Sequence, residues 1–376
     1  MSRVCLAANT IGYPEGGGHL WEYLNWALGL RSVGCDVVWL EEVPYGWQTD
    51  HLREAVGQLR GNLEPYGLAD SVALCPATGE PVDAGEVGCS DLEAAAAGTD
   101  LLLNLRYDLT GEVVGAFRRT VLVDIDPGLL QIWLGKGWIR IPRHDVYLTV
   151  GETVGRAEAR FPDAGLPWQH VSRPVALDWW QPERPAENAA FTTVTHWEDE
   201  REWIEDGNGG YRNDKRSGFA PFVDLPRHTA APLELAIDVG ENEEDRAMLE
   251  GSGWRLRNPA DVASTPWDFH RYVTASLGEF TCVKPSCVKL ENAWIGSRTL
   301  SYLASGKPAV VQHTGTSAVL PDREGLLRFR TFEEAVDCLD RATAEPERQG
   351  RLARALVEEH FDARVVLRRV LELALA

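Results

Sequence analysis

Asn292-Ala-Trp-Ile-Gly-Ser-Arg-Thr-Leu-Ser-Tyr-Leu-Ala-Ser-Gly-Lys-Pro-Ala-Val-Val-Gln-His-Thr-Gly-Thr316 is the stretch whose reading decides the fold. It runs as a turn, a short helix, a glycine stop, a strand and a second polar turn. Ser297 stands where a helix cap is expected, and Leu300, Leu303 and Ala304 form one apolar stripe at helical spacing. Gly306 ends the helix, and beyond Pro308 the run Ala309-Val-Val311 reads as a buried strand. A helix N-terminus and the loop after a strand both offer backbone N–H groups to negative oxygens. Ser297, Arg298, Thr299, Thr314 and Thr316 add side-chain donors, with Gly315 between the last two. The unit predicts a phosphate or diphosphate site; the alternative is an ordinary helix–strand unit of an α/β sheet.

The same alternation starts at the N-terminus. Val4-Cys-Leu-Ala-Ala8 reads as a buried strand, followed by the turn-rich Asn9-Thr-Ile-Gly-Tyr-Pro-Glu-Gly-Gly-Gly-His19. Leu20, Leu24, Ala27 and Leu28 recur at helical spacing, Gly34 stops the helix, and Asp36-Val-Val-Trp-Leu40 is the next strand. Strand, glycine loop, helix and strand within forty residues make a βαβ unit, so a parallel sheet covered by helices follows. Leu101–Asn104, Thr120–Asp124 and Val146–Val150 are further strands. Three prolines between residues 173 and 187 predict a linker. Beyond it Phe191–Thr195 and Leu233–Ile237 open a second α/β pattern, with a loop over Asp206–Lys215. The tail from Arg351 reads as two helices parted near His360-Phe-Asp362.

Composition bounds the rest. A chain of 376 residues is long for one core and favours two domains. Fifty-seven acids against 37 bases give a net charge of −20, which disfavours nucleic acid and anionic lipid as partners while leaving room for a small anion in a local pocket of donors. No apolar run approaches a membrane span, and the first residues lack a signal-peptide layout. The seven cysteines are scattered, with neither zinc nor redox spacing, so reduced thiols and a cytoplasmic location are expected. The oligomeric state is not legible.

Two α/β patterns, a glycine-rich loop after the first strand and a late phosphate-like turn resemble a bacterial glycosyltransferase of the GT-B fold. Ser297 to Gly315 is similar to the donor-binding segment of such proteins, and Leu320–Phe329, Thr331–Val336 and Ala353–Asp362 continue the similarity. The resemblance is detailed over residues 278–376 and architectural before that. It implies two Rossmann-like domains facing a central cleft: residues 1–180 for the acceptor and 181–360 for the donor, with a C-terminal helix over 361–376 crossing back to the first. It also implies a nucleoside-diphosphate sugar as co-substrate, a small-molecule acceptor, and neither metal nor other cofactor. Tyr302 falls within the donor segment.

Glu15-Gly-Gly-Gly-His19 is similar to the glycine loop and histidine of the transferase that adds N-acetylglucosamine to the peptidoglycan lipid precursor. Gly17 and Gly18 would let backbone approach a sugar or phosphate. His19, at the helix start, would take the acceptor's proton, since histidine titrates near neutrality. One departure stands out: many retaining members carry two glutamates eight residues apart, and here those positions are Ala293 and Ser301. Glu279 or Glu291 would then supply the sugar contacts, and the stereochemical outcome stays open.

Other groups compete for roles. Asp126, in Asp124-Ile-Asp-Pro127 at a strand end, is a second candidate base or sugar ligand. Its alternative role is capping the turn before Pro127, and the Asp124/Asp126 pair is the one feature that would favour a metal. Lys284 is a candidate for neutralising phosphate charge. Arg143-His-Asp145 reads as an anion contact or a local ion pair. Trp133 and Trp138 read as stacking platforms or core. Asn208–Lys215 reads as a lid or a surface loop. Gly16 to His19 does not complete a dinucleotide fingerprint, although Glu41 or Glu42 stands where its acidic residue would fall, and no Walker lysine or G-x-S-x-G elbow occurs. A silent sugar-nucleotide binder and a sugar-nucleotide epimerase are the rival functions.

Overall fold

The structure, a computed structural model, describes residues 2–77, 82–198, 203–205, 210–240, 242–320 and 324–376. The chain forms two compact units: residues 1–157, 161–176 and 361–376 make the first, and 158–160 with 177–360 the second.

In the first unit the strands are β1 (Arg3–Ala8), β2 (Asp36–Val43), β3 (Val72–Pro76), β4 (Leu101–Asn104), β5 (Thr120–Asp124), β6 (Val146–Thr149) and β7 (Trp168–His170). They pair in parallel in the order β3-β2-β1-β4-β5-β6-β7. Helices cover both faces, so β1, β4 and β5 are buried along their length apart from Arg3 and read as near-continuous apolar runs. The helix Gly17–Ser32 lies against the C-terminal helix Ala363–Leu375. Gly29 makes that approach: a Cβ there would stand 2.8 Å from the Ala363 Cβ.

The second unit holds β8 (Phe191–Val194), the hairpin β9 (Trp203–Ile204) and β10 (Tyr211–Arg212), then β11 (Leu233–Ala236), β12 (Arg255–Arg257), β13 (Gly278–Thr281), β14 (Ala309–Gln312) and β15 (Leu326–Phe329). Its main sheet is also parallel, in the order β12-β11-β8-β13-β14-β15. Counted along each main sheet, the second reads 3-2-1-4-5-6, the doubly wound order, and the first the same with a seventh strand added at its edge. The order reverses between β1 and β4 in one sheet and between β8 and β13 in the other. In doubly wound sheets the loops leaving such strand ends diverge, and that point is the ordinary ligand position.

The stretch between residues 173 and 187 is no free linker. Arg173 is buried, ion-paired to Glu22 and bonded to the Ile125 carbonyl. Val175 exchanges backbone hydrogen bonds with Phe361 and Ala363, tying the tail to the first unit, while Trp180 is wholly buried in the second against Phe269. The prolines shape packed chain here instead of solvated chain.

Candidate functional site

The helix of the deciding stretch runs Ser297–Ala304 and packs on the sheet through a polar layer. Register places Glu279 beside Thr192 on one sheet face, with Thr281 two residues on. Arg298 lies across these strand ends. Its Nε donates to Glu279 at 2.7 Å, its Nη1 to the Val194 carbonyl at 2.8 Å and its Nη2 to Thr281 Oγ1 at 2.9 Å. Tyr302, one turn further along, shares a 2.6 Å hydrogen bond with Thr192, which also bonds Ser276. Tyr302 is wholly buried, so its hydroxyl serves helix–sheet packing, and burial explains why it leaves the donor set.

The N-cap is Gly296, not Ser297, and no side chain caps the first turn. The first-turn N–H groups of Ser297, Arg298 and Thr299 therefore lack a capping acceptor, which favours an anion there. The turn after β14 is fastened to the segment before the helix. Ala293 N donates to the Thr314 carbonyl at 2.8 Å, and Thr314 Oγ1 to the Trp294 carbonyl at 2.7 Å. Gly315 has φ +115°, and a Cβ there would stand 2.7 Å from the Glu291 carbonyl oxygen. Thr314 and Gly315 thus join the two turns, while Thr316 is exposed. Glu291 and Ala293 hold left-handed backbone at φ 47° and 53°, strain of the kind that collects at functional sites.

A residue absent from the sequence-based donor set completes this rim. Lys215 opens the helix Lys215–Phe219 beside the end of β13, where its Nζ donates to the Cys282 carbonyl. Gly218 allows that approach, since a Cβ would sit 2.2 Å from the Val283 carbonyl oxygen. Burial, and then the Arg298 charge, pull the Lys215 ammonium down to about 7. Glu279, ion-paired to Arg298, keeps a buried Oε2 with no hydrogen-bond partner. Lys284 is half-buried two residues past Cys282. Only a tertiary contact reveals Lys215; in sequence it closes a polar loop, of which residues 206–209 lie outside the described residues.

On the first unit's rim, Gly17, Gly18 and His19 form the first turn of the helix Gly17–Ser32, so the glycines are helical and not an open loop. His19 Nε2 donates to the Asn9 carbonyl at 2.7 Å, and its ring lies 5.3 Å from Tyr23 and 5.9 Å from Tyr13. Asp126 is exposed and accepts the Tyr107 hydroxyl at 3.0 Å, and its charge, behind burial as the main cause, helps push the Tyr107 phenol up. Asp124 is buried; its oxygens take Asp126 N, Gln131 Nε2 and Thr149 Oγ1, and burial raises it to about 6. Asp124 thus holds the loop that presents Asp126, with three donors on its oxygens.

Remaining candidates fall into structural positions. Glu41 and Glu42 face inward at the end of β2: Glu41 holds the Thr10 and Ile11 amides, and Glu42 pairs with buried Arg106 at 3.0 Å. The geometry leaves neither for a ribose. His144 accepts from Asn104 and Asp145 receives Thr120, inside the unit. Trp138 is half-exposed with the Lys136 ammonium 4.4 Å over its ring.

Two doubly wound parallel sheets, each with its switch point, and a C-terminal helix returned to the first unit define the GT-B class of fold. Solved structures agree over the full length. HepE from Anabaena in complex with UDP and glucose matches with a TM-score of 0.59 and 12% identity, covering 99% of both chains. Sucrose-phosphate synthase from Thermosynechococcus elongatus matches at 0.55 and 12%, covering 99% of this chain and 98% of its own. An α-glucosyltransferase in complex with UDP and a 13-mer DNA with a central A:G mismatch matches at 0.60 and 9%, covering 100% and 99%. At these identities the likeness shows the fold alone. No family model and no curated relative matches this sequence.

Proposed function

We propose that this chain is a glycosyltransferase that moves a sugar from a nucleoside-diphosphate donor to a small-molecule acceptor. The observation that carries the reading is the Lys215–Arg298–Glu279 cluster at the switch point of the second sheet, beside an uncapped helix N-terminus. Two basic side chains and free backbone donors stand together there, in a chain of net charge −20. The donor's diphosphate rests against Lys215, the first-turn amides of Ser297–Thr299 and Thr316. Arg298 acts from behind, tied to Glu279. Glycosyl transfer breaks the bond between the sugar carbon and the phosphate oxygen, and the negative charge that develops on the leaving diphosphate is what these groups stabilise. The first unit supplies the acceptor side. His19 takes the acceptor hydroxyl's proton as its oxygen bonds the sugar carbon, and Asp126 orients a hydroxyl or serves as base in its place. The neighbours captured with UDP support a nucleotide donor. No metal is assigned a role, and turnover unchanged by a chelator is the expected result.

A second reading, a silent sugar-nucleotide binder, is favoured by one observation. At the two glutamate positions stand Ala293, in strained backbone, and Ser301, whose hydroxyl turns back to the Ser297 carbonyl. Calorimetric titration with UDP and dTDP tests both readings. Binding of one of them that weakens about tenfold or more in Lys215→Met, with donor consumed when acceptors are supplied, is the expected outcome. Tight binding without turnover across a broad acceptor panel favours the silent protein. No binding of either diphosphate at millimolar concentration overturns the site.

A further inference from the structure

Glu41 lies in the C-terminal half of β2 with its side chain wholly buried, and every hydrogen bond it accepts comes from a neutral donor. Oε2 takes Thr10 N at 2.9 Å and Ile11 N at 3.2 Å; Oε1 takes Trp39 Nε1 at 2.8 Å and the Thr10 hydroxyl. A carboxylate can accept from all four donors at once, which a glutamine cannot, because an amide turns one of its two ends into a donor. Burying that charge is expensive unless its hydrogen bonds are complete, and here they are.

The arrangement gains meaning from the peptide that Thr10 N belongs to. The N–H of Thr10 and the C=O of Asn9 are opposite ends of one planar unit. The N–H end points at Glu41, and the C=O end receives His19 Nε2–H at 2.7 Å. A negative carboxylate, a rigid peptide dipole and an imidazole thus stand in line. Hydrogen bonds in such a chain polarise one another. The carbonyl requires the proton on Nε2, which leaves Nδ1 as the basic nitrogen.

We propose that Glu41 is a positioning residue for His19, acting through the Asn9–Thr10 peptide. It fixes the ring's orientation and its Nε2–H tautomer, and it stabilises the imidazolium formed when Nδ1 takes the acceptor's proton. The catalytic half of this statement rests on the reading of His19 as base; the tautomer half does not.

The test uses the full chain labelled with 15N-histidine, with His19 assigned by difference against His19→Ala. In the parent, neutral His19 shows a protonated Nε2 and a bare Nδ1; a bare Nε2 there overturns the proposal without any variant. In Glu41→Gln the Nδ1–H form rises to a comparable share, and kcat for glycosyl transfer falls about 10–100-fold, the size of loss seen when the outer partner of a metal-ligating histidine is removed. KM for the donor and the UDP Kd stay within a factor of two. A Glu41→Gln protein that melts earlier but keeps the parent's His19 tautomer and kcat has lost only a structural brace, and positioning is then wrong. Unimpaired turnover in His19→Ala, together with the shifted tautomer in Glu41→Gln, removes the base reading and leaves the Glu41–His19 link standing.

Discussion

Lys215 and Arg298 carry the most telling physical chemistry at the level of single residues. An unfolded chain holds the lysine proton up to its ordinary 10.5, whereas the folded protein releases it near 7. Between those values the unfolded state binds more protons, so this group makes stability rise with pH across that window and disfavours folding most at and below pH 7. Lys215→Met is expected to exceed the parent in urea midpoint at pH 6.5, with the gap shrinking toward pH 10. A gap independent of pH contradicts the buried, deprotonating lysine. Arg298 behaves differently. Its three partners make it part of the fold, so Arg298→Ala leaves Glu279 buried and uncompensated and destabilises by on the order of 3 kcal/mol. The double change Arg298→Met with Glu279→Leu recovers most of that loss in the same unfolding experiment; no recovery means that the pair is not the cause. In the sequence Arg298 reads as a ligand donor. Nothing local shows that a carboxylate 19 positions earlier claims it.

At the level of elements, close backbone crossings decide what fits. The stop of the helix Ser297–Ala304, Gly306 at φ +69°, meets the helix Pro346–His360 at Gly350, where a Cβ would sit 2.2 Å from the Gly306 carbonyl oxygen. Backbone on both sides cannot retreat cheaply. Gly350→Ala therefore displaces one helix and is expected to cost about 2 kcal/mol or more, against the fraction of a kilocalorie that alanine normally gains in a helix. An alanine variant as stable as the parent in thermal melts removes the crossing from the account. Strands with an unbroken apolar run, such as the three residues Val121-Leu-Val123 within β5, are legible because burial on both faces leaves no polar alternation. β12 escapes, since an edge strand of Arg255-Leu-Arg257 carries one apolar residue and no pattern. The glycines of the first loop mislead for a related reason. Gly17 and Gly18 suggest an open turn, yet Leu20 N reaches back to the Gly16 carbonyl and winds them into the helix.

Across the whole molecule, charge and topology act together. Net charge of −20 repels phosphate backbones over nanometre distances, while the local cations of the second unit are buried among their partners. One structural neighbour was captured with DNA. This chain is expected to show no retention of that kind of duplex in a gel-shift assay at about 150 mM salt, because exposed arginines such as Arg53, Arg227 and Arg271 stand beside carboxylates in a chain of net charge −20. Micromolar retention of a 13-mer duplex contradicts this and reopens nucleic acid as the acceptor. Among the described residues no helix is long and apolar enough to cross a membrane.

Periodicity and turn chemistry by themselves determined the two α/β patterns, most of the central strands and the helix–strand unit at Ser297–Gln312. Those features depend on neighbours within a few residues, where the spacing of apolar side chains leaves one reading. The sequence also placed His19 at a helix start and Asp126 at a strand end. Tertiary structure alone decided which polar groups are spent and which are offered. It turned Tyr302 and Thr314 inward, bound Arg298 to Glu279, brought Lys215 to the end of β13 and set Glu41 behind the peptide that holds His19. The physical reason is that a side chain's hydrogen-bond partners and its hydration are set by strands and loops distant in sequence, and a linear pattern carries no record of them.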